Sequence, residues 1–120
     1  MKPRIESTGF GYIIVDGARI ENDIVIPLSG KPAKRKKKLS KAIYGTSHIV
    51  SRDEAEYVYE EGAELLVVGS GQYGNLTLSP EASKYLAKCN CRVELLPTPQ
   101  AIQHWNGAKG MVIGLFHVTC

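Results

Sequence analysis

No stretch of this sequence runs apolar for the roughly 18 residues that a membrane-spanning helix needs. The opening residues Met1-Lys2-Pro3-Arg4-Ile5-Glu6 lack the apolar core of a secretion signal. Cysteine is scarce and odd in number: Cys89, Cys91 and Cys120. Without a secretion signal, that count argues for free thiols and against a disulfide framework. Cys89 and Cys91 form C-x-C, and His117 and Cys120 form H-x-x-C, but these four soft groups fit no common zinc spacing. No metal and no cofactor is therefore expected. Ser70 is not in a nucleophile elbow, because Val68 stands where that turn requires glycine. Nothing in the sequence positions a serine against His48, His104 or His117, so no catalytic set is visible. The expectation is an intracellular, cytoplasmic protein without an evident enzyme chemistry.

What is present is an ordinary globular composition. The chain has 120 residues, 43% hydrophobic and 22% charged. That suits one domain over residues 1–120, with enough length to bury roughly two thirds of its unfolded surface. The net charge of +3 hides an asymmetry. Seven of 15 basic residues lie between Lys31 and Lys41, where there is no acid; the remainder holds 8 basic and 12 acidic residues, a net of −4. The body is mildly acidic and carries one basic segment, 31–41, which reads as a loop. Its run Lys34-Arg35-Lys36-Lys37-Lys38 is a candidate basic surface, able to attract phosphates or simply to stay solvated. No aromatic residue interleaves it, which weakens a single-strand reading by base stacking.

Hydrophobic patterning predicts the elements. Tyr12–Val15, the turn Asp16-Gly17, and the segments Arg19–Glu21 and Asp23–Ile26 read as an antiparallel hairpin. Ser51-Arg52-Asp53-Glu54 is a capping box, with the Glu54 carboxylate reaching back to the helix start, and Gly62 is the expected stop. Leu65-Leu66-Val67-Val68 is a continuous apolar run, typical of a strand covered on both faces. Ser79-Pro80-Glu81 opens a second helix. Arg92–Leu96 is a strand, Thr98-Pro99 caps a third helix through about Trp105, and Met111–Phe116 is a last buried strand. Strands alternating with helices imply α/β architecture: three layers, with a central mixed, largely parallel sheet, helices covering it and an N-terminal hairpin layer. Trp105 reads as a packing anchor and His117 as a hydrogen-bonded core histidine.

The strongest chemical motif is Gly69-Ser70-Gly71-Gln72-Tyr73-Gly74, a literal G-x-G-x-x-G after a strand, with Glu94 at the ribose-acid distance. A dinucleotide site needs the helix to open within the glycines, yet Asn75–Leu78 intervene before the Ser79 cap. A more modest reading is an anion or small-molecule site. Free backbone N–H groups of Gly69, Ser70, Gly71, Gln72, Gly74 and Asn75 would supply the donors, at the carboxyl end of a central strand. Thr46, Ser47 and His48, in a hydroxyl-rich turn, are candidates to line the same pocket. There, Gly71→Ala is expected to weaken binding without unfolding the chain.

Several segments together resemble a known family. They are Asp23-Ile24-Val25-Ile26, His48, Leu65-Leu66-Val67-Val68-Gly69-Ser70-Gly71, Thr98-Pro99-Gln100-Ala101, Asn106 and the ending Phe116-His117-Val118-Thr119-Cys120. The chain is similar to the Mth-type small α/β domains of unknown function. Relatives include archaeal proteins, an animal adipogenesis-associated protein and a mitochondrial complex I assembly factor. The resemblance implies the three-layer fold, no established catalysis, and an assembly or regulatory role. The Lys34–Lys38 run departs from many members, whose matching segment carries an aromatic residue, so no animal partner carries over. The leading expectation is a non-enzymatic module whose partner is another protein or a second copy of itself. A small-molecule or anion-binding domain at Gly69–Asn75, possessing a cryptic activity or none, is the alternative. Nucleic-acid contact through Lys34–Lys38 is third, and membrane binding is not expected.

Overall fold

The computed structural model describes residues 2–120. The chain begins with a three-stranded antiparallel meander: β1 (Ile5–Gly9), β2 (Tyr12–Val15) and β3 (Ala18–Ile20). It then enters the central sheet through β4 (Ile24–Ile26) and β5 (Ala33–Lys34), and continues into α1 (Lys38–Tyr44), β6 (Ile49–Val50) and α2 (Arg52–Val58). The remainder alternates: β7 (Leu65–Ser70), β8 (Thr77–Leu78), α3 (Pro80–Lys88), β9 (Arg92–Leu96), α4 (Thr98–Gly107) and β10 (Val112–His117). The central sheet has the order β5-β4-β10-β7-β9. β10, β7 and β9 run parallel, while β4 and β5 extend the sheet antiparallel. β6 and β8 form a separate parallel pair.

The expected α/β class and mixed sheet hold, and the sheet's two faces explain the apolar runs. Successive side chains of a strand point to opposite faces. Leu65 and Val67 join Ile24, Ile26, Val112 and Phe116 under the meander and α4, against Ile5, Ile13, Ala101 and Trp105. Leu66 and Val68 join Val25, Ile113 and Leu115 under α2 and α3, against Ala55, Val58, Ala82 and Leu86. β7 is therefore buried along its whole length. No described helix is long and apolar enough to cross a membrane.

Three local expectations are corrected. The Asp16-Gly17 turn does join two strands, but Asp23–Ile26 is not the hairpin's return strand. It leaves the meander for the central sheet, and the meander's third strand is β1, whose Ile5 supplies the burial. The segment 31–41 is not a loop: Ala33 and Lys34 pair with β4, and Lys38 starts α1. Local charge repulsion disfavours such a helix, and tertiary contacts beneath it override that. Finally, α2 stops at Val58 with Tyr59 extended, well before Gly62.

Gly114 in β10 is required by packing. A Cβ there would lie 2.5 Å from the Phe116 ring and 3.1 Å from Trp105. Those two rings meet edge to face at 5.8 Å. Alanine ordinarily improves a strand over glycine by about 0.5–1 kcal/mol. Here overpacking outweighs that gain, so Gly114→Ala should lower stability by about 1–3 kcal/mol, read as a fall in the urea midpoint.

Candidate functional site

The polar centre of the molecule is built by strand register. Ile24 of β4 faces Phe116 of β10 on one side and Lys34 of β5 on the other. Asp23, one residue earlier, therefore lies between His117–Val118 and Arg35. Its Oδ2 accepts from His117 Nδ1 at 2.7 Å and from an Arg35 Nη at 2.9 Å, and its Oδ1 accepts from the Val118 N–H at 2.9 Å. Burial alone would push the Asp23 carboxyl up. The His117 hydrogen bond and charge, the Val118 amide and Arg35 outweigh it and hold the group down to about 2.

Arg35 is only 3% exposed. Its Nε donates to Glu54 Oε2 at 2.6 Å, and an Nη donates to Glu54 Oε1 at 3.0 Å and to the Ser47 carbonyl at 2.7 Å. Burial works to lower its pKa, but Glu54 and Asp23 prevail and raise it. Ser40, on the buried side of α1, donates to Glu54 Oε1. The Ser51 hydroxyl caps α2 by accepting from Glu54 N–H at 3.1 Å, as expected. The other half of the capping box is absent, because the Glu54 carboxylate is taken by Arg35 and Ser40. The expected basic surface is thus corrected at one position: Arg35 points inward, while Lys34, Lys36 and Lys38 are exposed and Lys37 is half-buried. These four lysines, Arg35 and Lys41 line a cleft of about 400 Å³.

The glycine loop lies at the carboxyl end of β7, where sequence reasoning put it, but its donors are not free. Gly71 N–H donates to Thr98 Oγ1 at 2.9 Å, Gln72 N–H to the Thr119 carbonyl at 2.6 Å, and Asn75 N–H to Cys120 O at 3.1 Å. Tyr73 N–H also turns to Cys120 O, and Gly74 N–H to Gly71 O, both at 3.3 Å. Gly69 and Ser70 belong to β7 itself. Thr119 and Cys120 thus accept from three of the loop's amides. Gly71 has φ +102°, and a Cβ on it would lie 2.3 Å from the Cys120 backbone. Substitution there displaces that backbone, so Gly71→Ala is not the mild change expected from the loop alone.

The turn Thr46-Ser47-His48 is brought to this end of the sheet. The His48 carbonyl accepts from Thr77 N–H, and the His48 ring meets the His117 ring edge on at 5.4 Å. Thr46 Oγ1 accepts from His48 N–H, a local turn bond, and the Ser47 carbonyl serves Arg35. Thr98 was expected to cap α4. Its hydroxyl instead donates to the His117 carbonyl at 2.6 Å while accepting from Gly71, tying β10 to the loop. Glu94 meets His104 at 3.2 Å on the surface, and α3 opens only at Pro80, so the dinucleotide geometry does not form. Cys89 and Cys91 lie before the amino end of β9, whereas His117 ends the parallel β10, so these four soft groups do not converge.

Sequence reasoning missed the partners of Arg35, and it missed one surface feature. Phe10, at the β1–β2 turn, and Tyr73, in the glycine loop, are 58% and 73% exposed, with ring centroids 6.0 Å apart. The hairpin tip is pinned beside the loop by Gly11 N–H to the Val118 carbonyl and by Gln72 Nε2 to Thr8 Oγ1. The cue was present as aromatic residues flanked by turn-formers, but nothing in sequence brings residue 10 to residue 73. Chemically, His117 and Asp23 form an acid–base pair, yet both are 1% exposed and fully engaged.

Comparison with known proteins matches residues 5–110 to a family model described as "Protein of unknown function (DUF498/DUF598)". The conserved hypothetical protein PH1505 of Pyrococcus horikoshii OT3 superposes with a TM-score of 0.88 at 35% identity, over 98% of this chain and 99% of that one. The solved protein MT938 gives 0.82 at 30% identity, over 99% of this chain and 100% of that one. A Mth938-like domain from Bordetella pertussis gives 0.64 at 20% identity over 97% and 85%, a likeness of fold alone.

Two outcomes follow from the buried cluster. Arg35→Met removes the cation that two buried carboxylates share, leaving Glu54 without one, and should cost about 3–5 kcal/mol in urea denaturation. The acid dependence has a defined sign. The folded Asp23 pKa lies below its ordinary 3.8, at about 2, so its contribution is complete above pH 3.8 and is lost as pH falls toward 2. The loss is roughly 2 kcal/mol. Measured against Asp23→Asn, the wild-type advantage should narrow through that window and stay constant above it.

Proposed function

The chain belongs to the family described as Protein of unknown function (DUF498/DUF598), and on that premise we propose that it is a non-enzymatic protein-binding domain of the assembly or regulatory kind. The observation that carries this reading is the exposed aromatic pair Phe10–Tyr73, held on a rigid frame. Large aromatic side chains left in water are costly, and they are enriched where protein interfaces concentrate their energy. Both come from turns whose backbones are tied down by the 118–120 segment, so little ordering entropy remains to oppose binding.

The engagement of the polar groups supports the same reading. The loop amides that would hold a small anion donate within the chain, and the His117–Asp23 pair is sealed from substrate. The cytoplasm is the proposed compartment, since Cys89, Cys91 and Cys120 are free thiols, the state a reducing compartment maintains.

The test uses the full chain and the double variant Phe10→Ser/Tyr73→Ser, with Met111→Ser as a control at another exposed apolar residue. The wild type and the control should share one partner, another protein in native co-purification or a second copy in sedimentation velocity. The double variant should lose it by at least roughly tenfold while its urea midpoint stays within about 0.5 kcal/mol of wild type. Equal association by all three proteins, or turnover of a small substrate by the purified chain, would sink the reading.

A further inference from the structure

The lysine-lined cleft beside β5 stands apart from the aromatic surface and plays no part in the reading above. The segment 31–41 holds seven cations and no acid. The carboxylates beneath it, Asp23 and Glu54, are engaged by Arg35, and Lys37 Nζ stands at 3.7 Å from Asp23. Among the described residues, Lys34, Lys36, Lys38 and Lys41 have no carboxylate within ion-pair distance. All four are exposed, and with Arg35 and Lys37 they line the same cleft of about 400 Å³. Four lysines, one from β5, one from the link after it and two from α1, thus line one concavity with no carboxylate paired to any of them among the described residues.

We infer that this cleft is a binding site for a small oligophosphate, a molecule carrying three or more phosphate groups. Size, charge and residue type converge on that class. The volume is on the scale of a small-molecule site. The lining supplies point charges on flexible stems, which suit phosphate oxygens without demanding the planar geometry of a guanidinium fork. Lys36 Nζ lies 5.9 Å from the Tyr57 ring centroid, but no aromatic residue lines the cleft as a stacking platform for bases. The rest of the chain carries net −4 and would repel an extended polyanion laid across it, whereas a compact one meets only the lysines. The phosphates could belong to a free molecule or to a phosphorylated lipid headgroup, since the cleft recognises the same groups in both.

The experiment titrates the full chain with sodium tripolyphosphate by calorimetry. Expected is saturable binding of one equivalent, weakening at least roughly tenfold between about 50 and 200 mM salt. The triple variant Lys36→Gln/Lys38→Gln/Lys41→Gln should lose at least roughly tenfold in affinity, each lost charge removing part of an attraction that screening already weakens. Lys84→Gln/Lys88→Gln, on α3, should bind as wild type. Phosphatidylcholine vesicles with and without a polyphosphorylated inositol lipid separate the sources. Capture only by the phosphorylated vesicles, competed by tripolyphosphate, assigns the headgroup; tripolyphosphate binding without vesicle capture assigns the free molecule. The inference is overturned if tripolyphosphate does not saturate at low salt, if the triple variant binds as wild type, or if an RNA oligonucleotide binds more tightly than tripolyphosphate at equal phosphate concentration.

Discussion

One guanidinium organises this molecule. Arg35 is driven out of water between two carboxylates, one from the start of β4 and one from the first turn of α2. Taking these charges from water costs several kcal/mol per ion, and only good geometry and further hydrogen bonds offset it. Both conditions are met: Asp23 is also held by His117 and the Val118 amide, and Glu54 by Ser40. The cluster therefore ties β4, β5, β10, α1 and α2 at one point. None of these contacts is local in sequence; the Arg35–Glu54 bond spans 19 residues and the Asp23–His117 bond 94.

The carboxyl end of the sheet depends on the same point. With Asp23 fixing His117 and Val118, the following residues run across the glycine loop, and its amides donate to Thr119 and Cys120. Thr98 closes the arrangement from α4 by bridging Gly71 and the His117 carbonyl. In open α/β sheets this end is the usual ligand crevice. Here the chain occupies it with its own backbone. What reaches solvent is the rim, where Phe10 and Tyr73 stand exposed with their ring centroids 6.0 Å apart.

The legible parts were those governed by local rules. The run Leu65–Val68 read as a doubly covered strand because its alternation feeds two cores, and Ser79-Pro80 marked α3 because caps act within one turn. The alternation through β10 followed from the same patterning. The unreadable parts were set by distant partners. Glu54 fits a capping box in sequence, and only the arrival of Arg35 diverts its carboxylate. Thr98 likewise reads as a cap until β10 and the loop claim its hydroxyl. A two-residue strand such as β5, embedded in a charge run, carries no periodicity to detect. The glycine loop follows β7, as its place after the apolar run implies, but the acceptors of its amides, Thr119 and Cys120, lie far along the chain and carry no local signal.

The fate of the basic run shows why composition alone misjudged it. Five consecutive cations look equivalent by charge, but the structure separates them by shape. Arginine presents donors in a rigid fork and is less strongly hydrated than lysine, so it can engage two carboxylates in a buried site. Lysine is a hydrated point charge that shifts its pKa readily when buried, so it remains outside. Lys34, which ends β5, and Lys36 beyond it are exposed, while Arg35 between them is buried. Burying Arg35 uses the acids that would otherwise have balanced its neighbours. The stabilising cluster inside thus leaves the lysines outside without paired acids, and a change that frees Asp23 or Glu54 from Arg35 should weaken both the core and the anion attraction proposed for the cleft.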